Sequence, residues 1–186
     1  MLKIGIIIGS TRPGRNGEQV AKWYYELANK RTDAEFELID IADYNLPLLD
    51  EALPAGWNQY ANEHTKKWAA KIGEFDGFVM VTPEYNHSTS AALKNAIDYL
   101  GLEWNNKAVA FVSYGSAMGV RAVEHLRLIV AELQMADIRQ QVMFSLFTDF
   151  EDMSVFKPTQ DKEENVTKQL DQLIPWTNAM KTVREK

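Results

Sequence analysis

The chain has 186 residues, 46% of them apolar, which is enough for one well-filled core and short for two, so a single domain over residues 1–186 is expected. It contains no cysteine, which excludes disulfide frameworks, thiolate metal sites, iron–sulfur clusters and thiol nucleophiles together. A formal net charge of −6 argues against nucleic acid or an anionic membrane as the partner, so any anion site has to be a local feature.

In chain order, the apolar run at the start stops at Gly9 and is followed by Arg12 without a small-residue cleavage site, so it reads as a buried strand over residues 3–8 rather than a leader. The loop that follows runs Gly9, Ser10, Thr11, Arg12, Pro13, Gly14, Arg15, Asn16, Gly17. Its small residues let backbone amides approach an anion, Ser10 and Thr11 offer hydroxyls, and the helix behind it adds partial positive charge. Arg12 and Arg15 add charge-assisted bonds suited to phosphate. The loop lacks a Walker Gly-Lys-Ser/Thr and the dinucleotide glycine spacing, so a monophosphate fits it better than a pyrophosphate. The alternative is a Gly-rich turn with two solvated arginines.

A helical stripe at Val20, Trp23, Tyr24 and Leu27 leads to a strand at 35–41, a surface loop at 51–56, and a second stripe at Ala61, Thr65, Trp68 and Ile72. After a third strand at 77–81 comes Thr82, Pro83, Glu84, Tyr85, Asn86, His87, Ser88, opening a helix near Ser90 with Leu93, Ala96, Ile97 and Leu100 on one side. Pro83 stiffens this loop, Tyr85 supplies a flat π surface, and amides near Glu84 and Asn86 suit the edge of a planar heterocycle; a Pro turn with a Ser cap is the competing reading.

The fourth strand, at 108–113, is followed by Ser113, Tyr114, Gly115, Ser116, Ala117, Met118, Gly119 and a helix carrying Val123, Leu126, Val130 and Leu133. A fifth strand is expected at 141–147. From residue 161 a last helical pattern places Val166, Leu170, Leu173, Trp176, Met180 and Val183 together, with Pro175 expected to kink or split it. Alternating buried strands and one-faced helices specify a doubly wound α/β sheet, whose ligands bind beyond the carboxyl ends of the strands. No apolar stretch approaches the roughly 18 to 20 residues needed to cross a bilayer, and a cytoplasmic location is expected.

Taken together, the Gly-Ser-Thr-Arg loop, the Thr-Pro-Glu-Tyr-Asn segment running into Leu-Lys-Asn-Ala, and the Ser-Tyr-Gly loop followed by Arg-Ala resemble the NADPH-dependent FMN reductase family of flavodoxin-like proteins. The resemblance spans residues 3–132 and implies a five-stranded parallel sheet. It also implies FMN, with its phosphate held by Ser10, Arg12, Arg15, Asn16 and Gly17 and its ring edge by Pro83, Glu84, Tyr85 and Asn86. Ser113, Tyr114 and Gly115 would meet the pyrimidine side. NADPH or NADH would supply hydride to the flavin, which passes it to a small-molecule acceptor such as flavin, quinone, azo compound or chromate, with no protein acid–base pair required.

Such proteins are usually homodimers or homotetramers, and Tyr99 and Trp104 are candidates for a subunit boundary or for ordinary core aromatics. Two positions depart from the family pattern: Ser90-Ala91 stands where a Pro-Gly pair often opens the helix, and Met118 where a second Gly is common. The rival reading with the same fold and cofactor is a flavodoxin-type electron carrier, which tends to be more acidic and to lack the arginines. A hydrolase or transferase would need a nucleophile beside a base, which the three loops do not display. His64, His87 and His125 show no metal-ligand spacing, so no metal is expected.

Overall fold

The computed structural model describes residues 1–185. Five strands, β1 (Leu2–Ile8), β2 (Ala34–Asp40), β3 (Gly77–Pro83), β4 (Ala108–Gly115) and β5 (Ala136–Ser145), form one parallel sheet in the order β2-β1-β3-β4-β5. Its helices are α1 (Gly17–Ala28), α2 (Glu63–Gly73), α3 (Ala91–Asp98), α4 (Val120–Glu132) and α5 (Asp161–Arg184). The sheet is buried on both faces, and alternate residues of each strand feed two cores. Ile4, Ile6 and Ile8 of β1 pack with Val20, Tyr24, Val166, Leu170 and Leu173 beneath α1 and α5. Ile7, Phe78, Met80 and Phe111 pack with Trp68, Leu93, Ile97 and Leu126 beneath α2, α3 and α4.

Tyr99 and Trp104 belong to this second core and are fully buried, which removes them from any subunit boundary. The Tyr99 hydroxyl donates to the Pro47 carbonyl and to Asp50, and the Trp104 indole donates to the Ile97 carbonyl.

β5 starts five residues earlier than its apolar pattern predicts and carries a register shift against β4 between Val109 and Phe111. At this irregularity the amide of Gln169 on α5 donates to the carbonyls of Phe111 and Gln140 and accepts from the buried Tyr24 hydroxyl.

Pro175 does not split α5. It lies on the exposed side of the helix, as does Asp171, whose carbonyl would otherwise take the N–H that proline lacks. The buried side runs through Val166, Gln169, Leu170, Leu173 and Thr177, whereas Trp176 and Val183 are exposed. Thr177 fits because Gly77 lies beneath it: a Cβ on Gly77 would come within 2.6 Å of the Thr177 hydroxyl.

Besides two short 3-10 turns at Ile41–Tyr44 and Ala55–Trp57, a hairpin of β6 (Phe150–Glu151) and β7 (Val155–Phe156) between β5 and α5 has no counterpart among the predicted elements. Asp152 and Met153 turn it, both with positive φ. No helix among the described residues is long and apolar enough to cross a membrane.

Candidate functional site

The register places Ile8 beside both Asp40 and Val81, and Pro83 beside Tyr114. The loops after β1, β3 and β4 therefore emerge together at the carboxyl edge, where β1 and β3 mark the switch in strand order. A cleft of about 260 Å³ opens there, walled by Arg12, Gly14, Arg15 and Asn16 on one side and by Pro83, Glu84, Tyr85, Tyr114 and Gly115 on the other. Leu146, Met153 and Ser154, which the sequence reading did not single out, complete the wall. A larger hollow of about 400 Å³ lies across the loop, between Thr11, Ile41, Leu46 and Ala92, and shares none of the convergent cationic groups.

In the first loop, Gly9 is required by close approach, since a Cβ there would lie 2.5 Å from the Val81 carbonyl oxygen. The Ser10 hydroxyl is 3.1 Å from the Tyr85 hydroxyl and accepts from the Arg12 amide, tying the first two loops together. Arg12 itself is exposed and forms no ion pair among the described residues. Arg15 behaves differently: it pairs with Asp40, and its Nη1 donates to the Ser10 carbonyl at 2.6 Å. The Asn16 side chain donates to the Met153 carbonyl, and Gln19 exchanges hydrogen bonds with Ser154 and Phe156, so the β6–β7 hairpin is fastened over the start of α1.

In the second loop Asn86 and His87 both have positive φ, and Tyr85 and Ser88 bond to one another across them, making a tight two-residue turn. The Glu84 amide donates to the Tyr114 carbonyl, so it is spent on loop structure. The Glu84 carboxylate, almost fully buried, pairs with Arg121 and also accepts from its backbone amide in the first turn of α4. His125 stands 2.9 Å from the Ser88 hydroxyl, outside the cleft lining. At the position of the first family departure, Ser90 caps α3 by accepting from the Leu93 amide and donates to the Gly9 carbonyl. A side-chain cap thus replaces the preset φ of a proline.

In the third loop Ser113 turns inward. Its hydroxyl donates to the Met118 carbonyl and accepts from Gln141, bracing the turn rather than facing the cleft. Met118 adopts positive φ and is exposed, away from the cleft lining.

Tyr114 carries the main polar signal. Its hydroxyl is buried and donates to no acceptor among the described residues, although the Gly17 backbone amide approaches it, and burial pushes its pKa up, so it remains a protonated donor. It abuts Gly17, where a Cβ would collide with it at 2.7 Å. Native proteins pair almost all buried polar groups, so an unpaired donor beside a cationic loop and a helix N-terminus fits a phosphorylated ligand whose oxygens complete it.

The sequence pattern of the NADPH-dependent FMN reductase family matches residues 2–149. An NAD(P)H-dependent FMN reductase of Nectria sp. is 38% identical over 159 residues, covering 80% of this chain and 79% of that protein. Another, from Schizosaccharomyces pombe, is 42% identical over 135 residues, covering 72% and 68%. A 2-hydroxy-1,4-benzoquinone reductase of Burkholderia is 30% identical over 150 residues, covering 77% and 78%. Among solved structures, the flavoenzyme NAD(P)H:acceptor oxidoreductase FerB of Paracoccus denitrificans has the same fold, with a TM-score of 0.74 at 19% identity over 97% of this chain and 99% of that one.

Proposed function

The chain belongs to the NADPH-dependent FMN reductase family, and from that premise we propose an FMN-dependent NAD(P)H oxidoreductase that passes hydride to a flavin, quinone, azo compound or chromate. The observation that carries the site is the buried Tyr114 hydroxyl, a donor with no acceptor among the described residues, in a cleft headed by the Arg12 guanidinium, which forms no ion pair among them. FMN, when bound, supplies the redox chemistry, taking hydride from the nicotinamide and giving it to the acceptor. The protein binds and shields.

Arg12 offers its guanidinium to the phosphate, Tyr114 donates its hydroxyl, and Ser10 and Tyr85 hold the first two loops in register. Pro83, Glu84, Tyr85, Asn86 and Gly115 border the ring, with the Glu84 carboxylate acting through Arg121 to fix the loop. Asn16, Gly17 and Arg15 shape the phosphate end, and Ser113 supports the third loop from behind. Leu146 and Met153 exclude water from the far wall. The unit is a single FMN-binding domain over residues 1–186, cytoplasmic, and assembled as a homodimer or homotetramer.

A carrier of the flavodoxin type would share fold and cofactor. The family match and the relatives named as reductases favour turnover with a pyridine nucleotide. One experiment separates the readings: the visible spectrum of the purified protein is recorded before and after NADPH is added without air. A yellow protein bleached within seconds is the expected result. A yellow protein that NADPH leaves untouched is a carrier, and a colourless one that takes up no added FMN defeats both readings.

A further inference from the structure

We propose that Asp40 sets the charge of the phosphate loop by holding Arg15 out of phosphate contact, and thereby limits the preference of the cleft for FMN over riboflavin; this rests on the placement of FMN proposed above.

The loop carries two arginines, and among the described residues Arg15 is ion-paired while Arg12 is not. Asp40 ends β2 directly beside Ile8, so its carboxylate lies at the floor of the loop that Gly9 begins. One of its oxygens accepts from the Ala42 amide at 3.0 Å, which fixes its direction, and the other takes the Arg15 guanidinium. Arg15 is further tethered by the Ser10 carbonyl at 2.6 Å and has Glu18 at 3.8 Å, with only 12% of its side chain exposed. Two of its five N–H groups are thereby committed, to the Asp40 carboxylate and the Ser10 carbonyl, and the two carboxylates offset its charge where it lines the cleft.

A flavin phosphate carries a charge of about −1.5 to −2 at neutral pH, as phosphate monoesters do. Arg12 and Arg15 together would match it. With Asp40 paired to Arg15, the three side chains offer one net positive charge, and Arg15 acts as a strut for the loop backbone while Arg12 does the binding. Asp40 is thus a positioning residue that touches no ligand. Its carboxylate leaves the cleft with a weaker hold on phosphate than its arginine count implies.

The test compares FMN and riboflavin, which differ only by the phosphate. Asp40→Asn keeps size and an oxygen for the Ala42 amide but removes the charge that retains Arg15. Equilibrium dialysis is expected to show FMN bound about tenfold more tightly than by the unaltered protein, the scale of one charge-assisted hydrogen bond. Riboflavin affinity should move less than twofold, and the salt dependence of FMN binding should steepen.

A purely structural role for Asp40 would weaken both flavins together and lower the thermal midpoint, and that result overturns the proposal. So does an unchanged FMN-to-riboflavin ratio. Should Asp40→Asn fail to fold, Arg15→Gln in the unaltered protein decides: a strut loses both flavins equally, whereas selective loss of FMN shows Arg15 to be the grip. If the unaltered protein binds neither flavin, it is the placement of FMN that fails, a result distinct from any change in the ratio.

Discussion

Arg12 and Arg15 stand three positions apart on one loop, yet the folded chain gives them opposite surroundings: Arg12 faces solvent at the cleft, and Arg15 is boxed in by Asp40, Glu18 and the Ser10 carbonyl. Their residue types made both candidates for phosphate, and only the pairing with a carboxylate 25 residues away tells them apart. Arg12→Ala should therefore cost FMN roughly 1 to 3 kcal/mol of binding free energy, as for a charged hydrogen bond, while riboflavin binding stays where it was. Titration of both flavins checks this, and an unaltered FMN affinity would put the phosphate elsewhere. Tyr114 allows a sharper contrast. Its hydroxyl finds no acceptor among the described residues, so Tyr114→Phe removes an unspent buried donor, losing at most the approach of the Gly17 amide, and should leave the flavin-free melting temperature nearly unchanged. Saturation with FMN should then raise that temperature less than it does for the unaltered protein, by the equivalent of about 1 kcal/mol. Equal FMN-induced shifts in the two proteins would show that the hydroxyl has no part in the site.

At the scale of elements, legibility follows how each one is stabilised. The central strands could be read from continuous β-branched and aromatic runs because both faces are buried, and β1, β3 and β4 need little else. The three loops after them were legible as turns because small residues and Pro announce them, and the structure brings residues of all three to one cleft. The β6–β7 hairpin was not: two-residue strands have no periodicity, and its Asp152-Met153 turn has positive φ without a glycine to mark it. The face of α5 was misread for a related reason, since polar Gln169 and Thr177 occupy buried positions that an apolar pattern passes over.

Gln169 also braces β5 at its register shift, where the amide donates to the Phe111 and Gln140 carbonyls. Gln169→Leu keeps the volume and strands the Phe111 and Gln140 carbonyls together with the Tyr24 hydroxyl. At about 1 to 3 kcal/mol for each buried group left unpaired, and with some relaxation, a loss of about 2 to 5 kcal/mol is expected in urea unfolding. Amide exchange should quicken first in β5 and at the bulge. A variant as stable as the parent would mean that the amide only fills space.

Across the whole molecule, the two ends of the sheet divide the work. The carboxyl end gathers the cleft, whereas the opposite end buries the Lys107 ammonium. Lys107 immediately precedes β4 and is 5% exposed; its ammonium donates to the Ile72 carbonyl at the end of α2 and lies over the Phe78 ring. Burial pushes its pKa down to about 8, with Arg184 acting in the same direction and Asp76 and Glu103 partly opposing it. In the unfolded chain the ammonium titrates near 10.4, so between about pH 8 and pH 10 the unfolded state binds more protons than the folded state. Stability then rises with pH across that window and is lost again as pH falls through 8, the same direction as for a salt-bridged carboxylate, whose folded pKa is also depressed, but in an alkaline window. From pH 7 to pH 9.5 the lysine should add about 2 kcal/mol relative to a side chain that does not titrate. Lys107→Met supplies that reference, because subtracting its urea-unfolding free energy from that of the parent at each pH cancels every other ionisation. The difference should move toward the parent as pH rises, and one that stays flat from pH 7 to pH 9.5 would show that the ammonium is solvated rather than buried.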